Sequence, residues 1–324
     1  MSGGYMRANS IVLLLMLGAC SATGAAEPYH LIPGQVTAGK GPDGNTIVLD
    51  APDGLIVVDT GRHPEHVQAI LAYAEQRGKP IAAIVNTHWH LDHTTGNWDI
   101  RKAYPKVRIY ASNALEGALV GFFPASRKGA DEFLKSGKAS PAQRAEMERG
   151  FHVMDHPDLL RPTDIVSQSG VLTIAGRRLD AHIAKFAATE GDVWVFDPAT
   201  KVAIVGDLVV DIVPFMDTAC PDGWAKALDE IAATPFKTLV PGHGPVMDRA
   251  DFLAWRTAYD NFVKCGHSSA DAKSCVEGWE RDAGKFIDAG HRQYAQDAAG
   301  YYLETRLRSS PAEQEKYCKP LKAS

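Results

Sequence analysis

A layered α+β domain is what this sequence predicts, on three observations. Short β-rich runs alternate with segments whose apolar residues recur at helical spacing, the runs are bounded by strong turn chemistry, and a crowd of metal-ligand side chains stands directly after one buried apolar run. Strand, turn, helix and strand in this order let a sheet bury its face under helices. The 324 residues, 45% of them hydrophobic, are enough for a full core.

The chain opens with Arg7 ahead of the apolar run Ile11 to Leu17, which is the layout of a secretory signal and too short to span a bilayer. Residues 1–26 are therefore expected to be a signal peptide. Leu17-Gly18-Ala19-Cys20 resembles the bacterial lipobox, which would make Cys20 a lipid anchor and the protein a membrane-anchored lipoprotein. Ordinary cleavage after the small residues Ala22 to Ala26 would release it into the periplasm instead. On either reading the mature protein leaves the cytoplasm.

Thr46 to Leu49 and Leu55 to Val58 flank Pro52-Asp53-Gly54 and predict a hairpin. From Pro64 to Gln76, Val67, Ile70, Leu71 and Ala74 recur at helical spacing, and Gly78 with Pro80 ends the helix. Ile81 to Val85 reads as a buried strand. From about 111 to 161 the pattern turns helical and charged, and it is expected to be an inserted helical cap. Its aromatic pair Phe122 and Phe123 has two readings, lining a substrate pocket or packing the cap onto the body. Strands resume at Val171 to Ile174, Leu179 to Ile183, Val193 to Phe196 and Val202 to Val205. Trp224 to Ile231 reads as helix and Thr238 to Val240 as a short strand. Beyond Arg249 the chain reads as helical to its end. The expected organisation is one domain over 27–248 with a helical extension over 249–324.

The chemistry lies in His88, His90, Asp92 and His93. In an extended segment alternate side chains point the same way, so His88 and His90 can grip one ion, while Asp92 and His93 beyond the bend can face a second. Imidazole and carboxylate are ligands for Zn²⁺ and similar ions.

The stretch Asn86-Thr87-His88-Trp89-His90-Leu91-Asp92-His93-Thr94-Thr95-Gly96-Asn97 resembles the H-x-H-x-D-H signature of the metallo-β-lactamase fold hydrolases. Val57-Val58-Asp59-Thr60-Gly61, Val205-Gly206-Asp207 and Pro241-Gly242-His243-Gly244-Pro245 follow that family's order. The resemblance implies an αββα sandwich carrying metal at one edge. It places His88 and His90 on a first ion, Asp92, His93 and His243 on a second, and Asp207 between them. One ligand departs from the pattern: Ala188 stands where a histidine is usual, in Ala188-Thr189-Glu190-Gly191-Asp192. The second position then keeps the fuller ligand set, so a single ion there is the expectation. His182 and Glu190 are the two side chains that could stand in for the missing ligand.

A bound divalent ion brings the pKa of water toward ~7 and polarises a carbonyl. The candidate catalytic residues are Asp92, His88 and His90, the two histidines acting as bases or orienting water where no ion fills the first position. Asp59 reads either as a brace for the histidine loop or as a turn-capping carboxylate.

A net charge of −5 and a pI near 6.2 supply no basic stripe for nucleic acid, leaving a small molecule as the expected partner. Cys220, Cys265, Cys275 and Cys318 are an even set in an exported chain, so disulfides are expected. Three connectivities exist. The nearness of Cys265 to Cys275 favours that pair, with Cys220 to Cys318 by elimination. The functional expectation is an exported metal-dependent hydrolase of an ester, lactone or amide, β-lactams included. The alternative is a descendant that uses the cleft for binding without turnover.

Overall fold

The computed structural model describes residues 28–35 and 39–320. The signal segment and Cys20 lie outside the described residues. Two six-stranded sheets form the centre of the fold. The first comprises β1 (His30–Ile32), β2 (Thr46–Ala51), β3 (Gly54–Val58), β4 (Ile81–Val85), β5 (Arg108–Ala111) and β6 (Asp164–Ile165), neighbours in that order. The first three strands pair antiparallel and β3 through β6 pair parallel. The second sheet comprises β7 (Gly170–Ile174), β8 (Arg177–Lys185), β9 (Gly191–Asp197), β10 (Val202–Gly206), β11 (Thr238–Pro241) and β12 (Met247–Asp248). It is antiparallel except for the parallel pair of β10 with β11.

Side-chain alternation explains why the sheets stack. Ile47, Leu49, Ile56 and Val58 of the first sheet meet Val193, Val195, Val202 and Ile204 of the second in one buried layer. The alternate residues Val48, Leu55, Val57 and Ile84 face outward under α1 (Pro64–Arg77) and α3 (Asn97–Ala103), meeting Val67, Ile70 and Ile100. On the far side Trp194, Phe196, Ala203 and Val205 are covered by α7 (Pro221–Ala233), α8 (Arg249–Gly266), α9 (Ala272–Ala283) and α10 (Arg292–Tyr302). Four layers, helix, sheet, sheet and helix, result. Strands buried on both faces read as continuous apolar runs.

Between β5 and β6, α4 (Leu115–Val120), α5 (Phe122–Lys135) and α6 (Pro141–Asp155) pack on Trp89 through Leu115, Phe123, Val153 and Leu160. A short α2 (Leu91–Thr94) carries Asp92 and His93, and α11 (Pro311–Gln314) precedes the last cysteine. The strands β1, β5, β6 and β12 have no counterpart in the sequence expectation. Each is two to four residues long, too short to display alternation. Both expected disulfides are present, Cys265–Cys275 and Cys220–Cys318. Among the described residues no helix is long and apolar enough to cross a membrane.

Candidate metal centre

The parallel pairs β3–β4 and β10–β11 decide where the site forms. Their carboxyl ends deliver Asp59, the Thr87–His88 turn, Asp207 and His243 to one edge of the sandwich. Backbone bonds stitch the two sheets there, Val193 N donating to Thr87 O at 2.6 Å and Asn45 N to Gly242 O at 2.7 Å, and Gly44 N, ahead of β2, donates to Asp92 O after β4 at 2.9 Å. Two glycines are required by close approach. A Cβ on Gly242 would sit 2.0 Å from Asp207 Oδ1, and one on Gly44 would sit 2.3 Å from the His93 ring.

Two groups of ligand-type atoms converge at this edge. His88, His90 and Asp207 form one, Asp92, His93 and His243 the other, with the atoms of each group within 4.8 Å of one another. Asp207 joins them: its Oδ2 lies 3.5 Å from His88 Nε2, and its Oδ1 lies 3.1 Å from His93 Nε2 and 3.5 Å from His243 Nε2. The His93 and His243 Nε2 atoms face each other at 3.2 Å, and Asp92 Oδ2 is 3.2 Å from His243 Nε2.

Hydrogen bonds behind the imidazoles fix which nitrogen carries the proton. Asp59 Oδ2 can only accept, so His93 Nδ1 donates to it at 2.8 Å and Nε2 turns a lone pair inward. Thr87 Oγ1 spends its proton on Asp59 Oδ2 at 2.7 Å, so it accepts from His88 Nδ1 at 2.9 Å. Thr218 Oγ1 donates to Ala188 O at 2.9 Å and therefore accepts from His90 Nε2 at 3.1 Å. In their neutral form all three rings of the H-x-H-x-D-H stretch thus turn an unprotonated nitrogen to the centre, which is what a metal requires of imidazole. Two atoms at the centre, His88 Nε2 and Asp207 Oδ1, are buried with no hydrogen bond. Asp59 also accepts from Thr87 N at 2.8 Å, so it braces the histidine loop.

The electrostatics call for a cation. Burial opposes charge on Asp207, yet His93, His243 and His88 hold its carboxyl well below the usual range. Burial likewise opposes charging His93, but Asp207, Asp59 and Asp92 raise it well above its ordinary value. His243 is raised by Asp207 and Asp92 against its own burial. His90 is lowered, by burial first and then by His88. Two buried carboxylates, Asp92 and Asp207, border the centre with Asp59 behind His93, a negative charge that a divalent ion would neutralise. The donor set and its inward lone pairs fit such an ion.

The two stand-ins do not join either group. His182 on β8 stacks on Trp194 with ring centroids 3.8 Å apart, directed into the outer layer. Glu190 lies against α4, where a Cβ on Gly117 would meet its Oε2 at 2.3 Å. Ala188 is buried beside the site, its carbonyl held by Thr218. Thr218 carries no sequence signal, being 128 residues from the histidine it fixes. Thr87 is flagged only by standing next to His88.

A cleft of about 970 Å³ opens over the centre, with His90, Asp92, Asp207 and His243 at its floor. Its walls are apolar: Phe122, Phe151 and Met154 from the cap, Ile212 and Phe215 from the segment after β10, and Tyr302 from α10. Both readings of the aromatic pair hold. Phe123 is buried against Trp89 at 5.2 Å, and Phe122 lines the cleft, 5.3 Å from the same ring.

Two stacked sheets under outer helices, with two candidate ligand groups at one edge, define a metal-site αββα architecture, and comparison with known proteins agrees. The metallo-beta-lactamase superfamily model matches residues 39–243, and the chain belongs to that family. It is 30% identical over 229 residues to a linear primary-alkylsulfatase of Pseudomonas sp. (strain ATCC 19151), covering 62% of this chain but only 42% of that protein. A stereoselective inverting sec-alkylsulfatase from Pseudomonas sp. superposes with a TM-score of 0.56 at 16% identity, over 80% of this chain and 47% of the other. A metallo-beta-lactamase from Pontibacter korlensis gives 0.51 at 19% identity, over 72% and 94%.

Proposed function

We propose that this protein is an exported metal-dependent hydrolase of esters, lactones or amides borne on an apolar body, holding Zn²⁺ through Asp92, His93, His243 and Asp207. His88 and His90, with a share of Asp207, form the first and poorer position, because Ala188 supplies no ligand there. The observation that carries this reading is the set of inward-facing lone pairs, each fixed by a donor bond behind the ring. Bound there, a divalent ion supplies a nucleophilic hydroxide near neutral pH and polarises the acyl oxygen.

The protein's own groups do the rest. Asp59 and Thr87 keep His93 and His88 in the ligating tautomer. His88 and His90, where no ion takes their nitrogens, accept a proton from water or orient it. The apolar walls exclude bulk solvent and hold the substrate's body, which strengthens every charge interaction at the floor. The resemblance over 229 residues to a linear primary-alkylsulfatase supports a second substrate reading, a sulfate ester of an aliphatic alcohol. The disulfides are compatible with export.

Elemental analysis of the mature protein before and after dialysis against zinc tests the reading first. About one ion per chain, with turnover in a panel of acyl esters, lactones, a chromogenic cephalosporin and alkyl sulfates, is expected. Asp92→Ala and His243→Ala should abolish both metal and turnover. Metal absent under both conditions, with no turnover, refutes it and leaves a binding protein; turnover surviving both substitutions refutes it by showing catalysis that does not need this metal position.

A further inference from the structure

Arg62 follows Asp59-Thr60-Gly61 and lines the cleft floor beside Asp92. Its placement is unusually constrained. Asp43 Oδ1 accepts from its backbone N–H at 2.6 Å, and Arg149 Nε donates to its carbonyl at 2.9 Å. Its side chain is held by one bond, Nη1 to Glu146 Oε1 of α6 at 2.7 Å. Glu146 is in turn fixed by the Gly41 N–H, at 3.1 and 3.0 Å, and faces His63 Nε2 at 3.4 Å. That leaves most of the guanidinium fork free of protein acceptors. Nη2 is 3.7 Å from Asp92 Oδ1, beyond hydrogen-bond reach, and Nε is buried with no partner.

Arg62 is ion-paired with Glu146 and more loosely with Asp92, and its Nε is closed off from the cleft, but its Nη2 donors make no hydrogen bond, and a rigid guanidinium with unspent donors at the floor of a largely apolar cleft can receive an anion. The planar fork matches a carboxylate or sulfate, and burial among apolar walls strengthens the pairing. Lys40 adds a second cation on the same lining. A neutral apolar molecule would fill the walls and leave the donors of Arg62 unanswered, which disfavours it.

Resting on the hydrolase reading above, we infer that Arg62 selects amphiphilic substrates, an apolar body carrying a carboxylate or sulfate close to the bond that is cut. Arg62 is on this view a specificity-determining residue, and Glu146 positions it.

Octanoate and octanamide share a shape and differ in charge, so their binding to the zinc-dialysed protein by calorimetry reads the inference without turnover. Octanoate should bind at least tenfold tighter than octanamide. Arg62→Gln should remove that preference while octanamide affinity stays within twofold, and Arg62→Lys should retain part of it. Zinc content and melting temperature, measured on the same samples, show that each variant is folded and loaded. Equal affinities in the unaltered protein overturn the inference, and so does a preference that survives Arg62→Gln, which would assign the anion to the metal. Unaltered protein that binds no zinc fails the hydrolase reading instead, whatever Arg62 does to octanoate.

Discussion

Replacing Asp59 by Asn tests the most consequential claim about the site, that a carboxylate behind the histidine loop sets which nitrogen faces the metal. The residue is buried and accepts three bonds, from Thr87 N at 2.8 Å, Thr87 Oγ1 at 2.7 Å and His93 Nδ1 at 2.8 Å. Asn is nearly isosteric, so its Oδ1 keeps the bond from Thr87 N. Its amide, however, sets N–H donors against the other two donors. The His93 ring relieves the clash by moving its proton to Nε2, so that Nδ1 accepts from the amide. That puts an N–H where the lone pair faced Asp207 and His243. Loss of such a supporting partner costs about 10–100-fold in metal affinity, or about 1.4–2.7 kcal/mol at 1.36 kcal/mol per tenfold. The metal-free fold should lose only about 1–2 kcal/mol, since one of the three bonds persists and one is replaced. Competition with a chromophoric zinc chelator reads the first number and thermal unfolding of the metal-free protein the second. Long-range ¹⁵N spectra of the imidazoles report the tautomer directly. Zinc affinity within twofold of the unaltered protein, or an unchanged His93 tautomer, would refute the reasoning.

The remaining predictions concern the cap, the missing ligand and the crosslinks. Glu146 is lowered to about 2, burial opposing the shift and His63 and Arg62 driving it, and His63 is raised to about 9 by Asp43 and Glu146. The depressed carboxylate stabilises above its unfolded value of about 4.5 and loses this as pH falls toward 2, whereas the raised histidine stabilises below about 6.5 and loses this as pH rises toward 9. Attachment of α6 should therefore be tightest between about pH 4.5 and 6.5, and Glu146→Gln should lower the melting temperature there and flatten its fall on either side, toward pH 2 and toward pH 9; an unchanged profile contradicts it. Ala188→His should raise zinc per chain while lowering stability by about 1–3 kcal/mol, because the site is fully packed, and unchanged zinc content would show that the position does not reach the metal. Removing Cys220–Cys318, which spans 98 residues, should cost about 5 kcal/mol against about 3 kcal/mol for the ten-residue Cys265–Cys275 bridge, read from melts of the paired serine variants. The reverse order would contradict the loop-entropy account.

How much of this was legible in the sequence depended on whether the signal was local. The hairpin at Pro52-Asp53-Gly54, the helix ending at Gly78 and the buried strand Ile81–Val85 announce themselves within a dozen residues, and the structure places all three. The ligand groups were legible because four of their members sit within six positions and the others follow short glycine landmarks. What stayed hidden depends on distance along the chain. Thr218 fixes His90 across 128 residues, and Glu146 holds Arg62 across 84. His182, by contrast, shares the face of β8 that carries Arg178 and Asp180, opposite the buried Leu179 and Ala181, so the strand's own alternation turns it away, onto the Trp194 ring of the next strand.

That division bears on substrate. Every ligand-type residue falls within the stretch 39–243 that the family shares. The walls do so only in part: Phe122, Phe151, Met154, Ile212 and Phe215 lie inside it, but Tyr294 and Tyr302, with Gly290 and His291, come from the segment beyond it. Those helices are tied to the site by Cys220–Cys318 and by Arg306, which donates to Ala219 O at 3.1 Å next to that disulfide and one residue from Thr218. The segment that orients His90 is therefore anchored by the same extension that completes the cleft. The candidate metal position and the shape of the cleft are linked here through a part of the chain that the family match does not cover. On the hydrolase reading proposed above, the floor of this cleft is what the chain shares with its family, and the choice of substrate would rest on Arg62 and on the walls that the helical insertion and the C-terminal helices build around it.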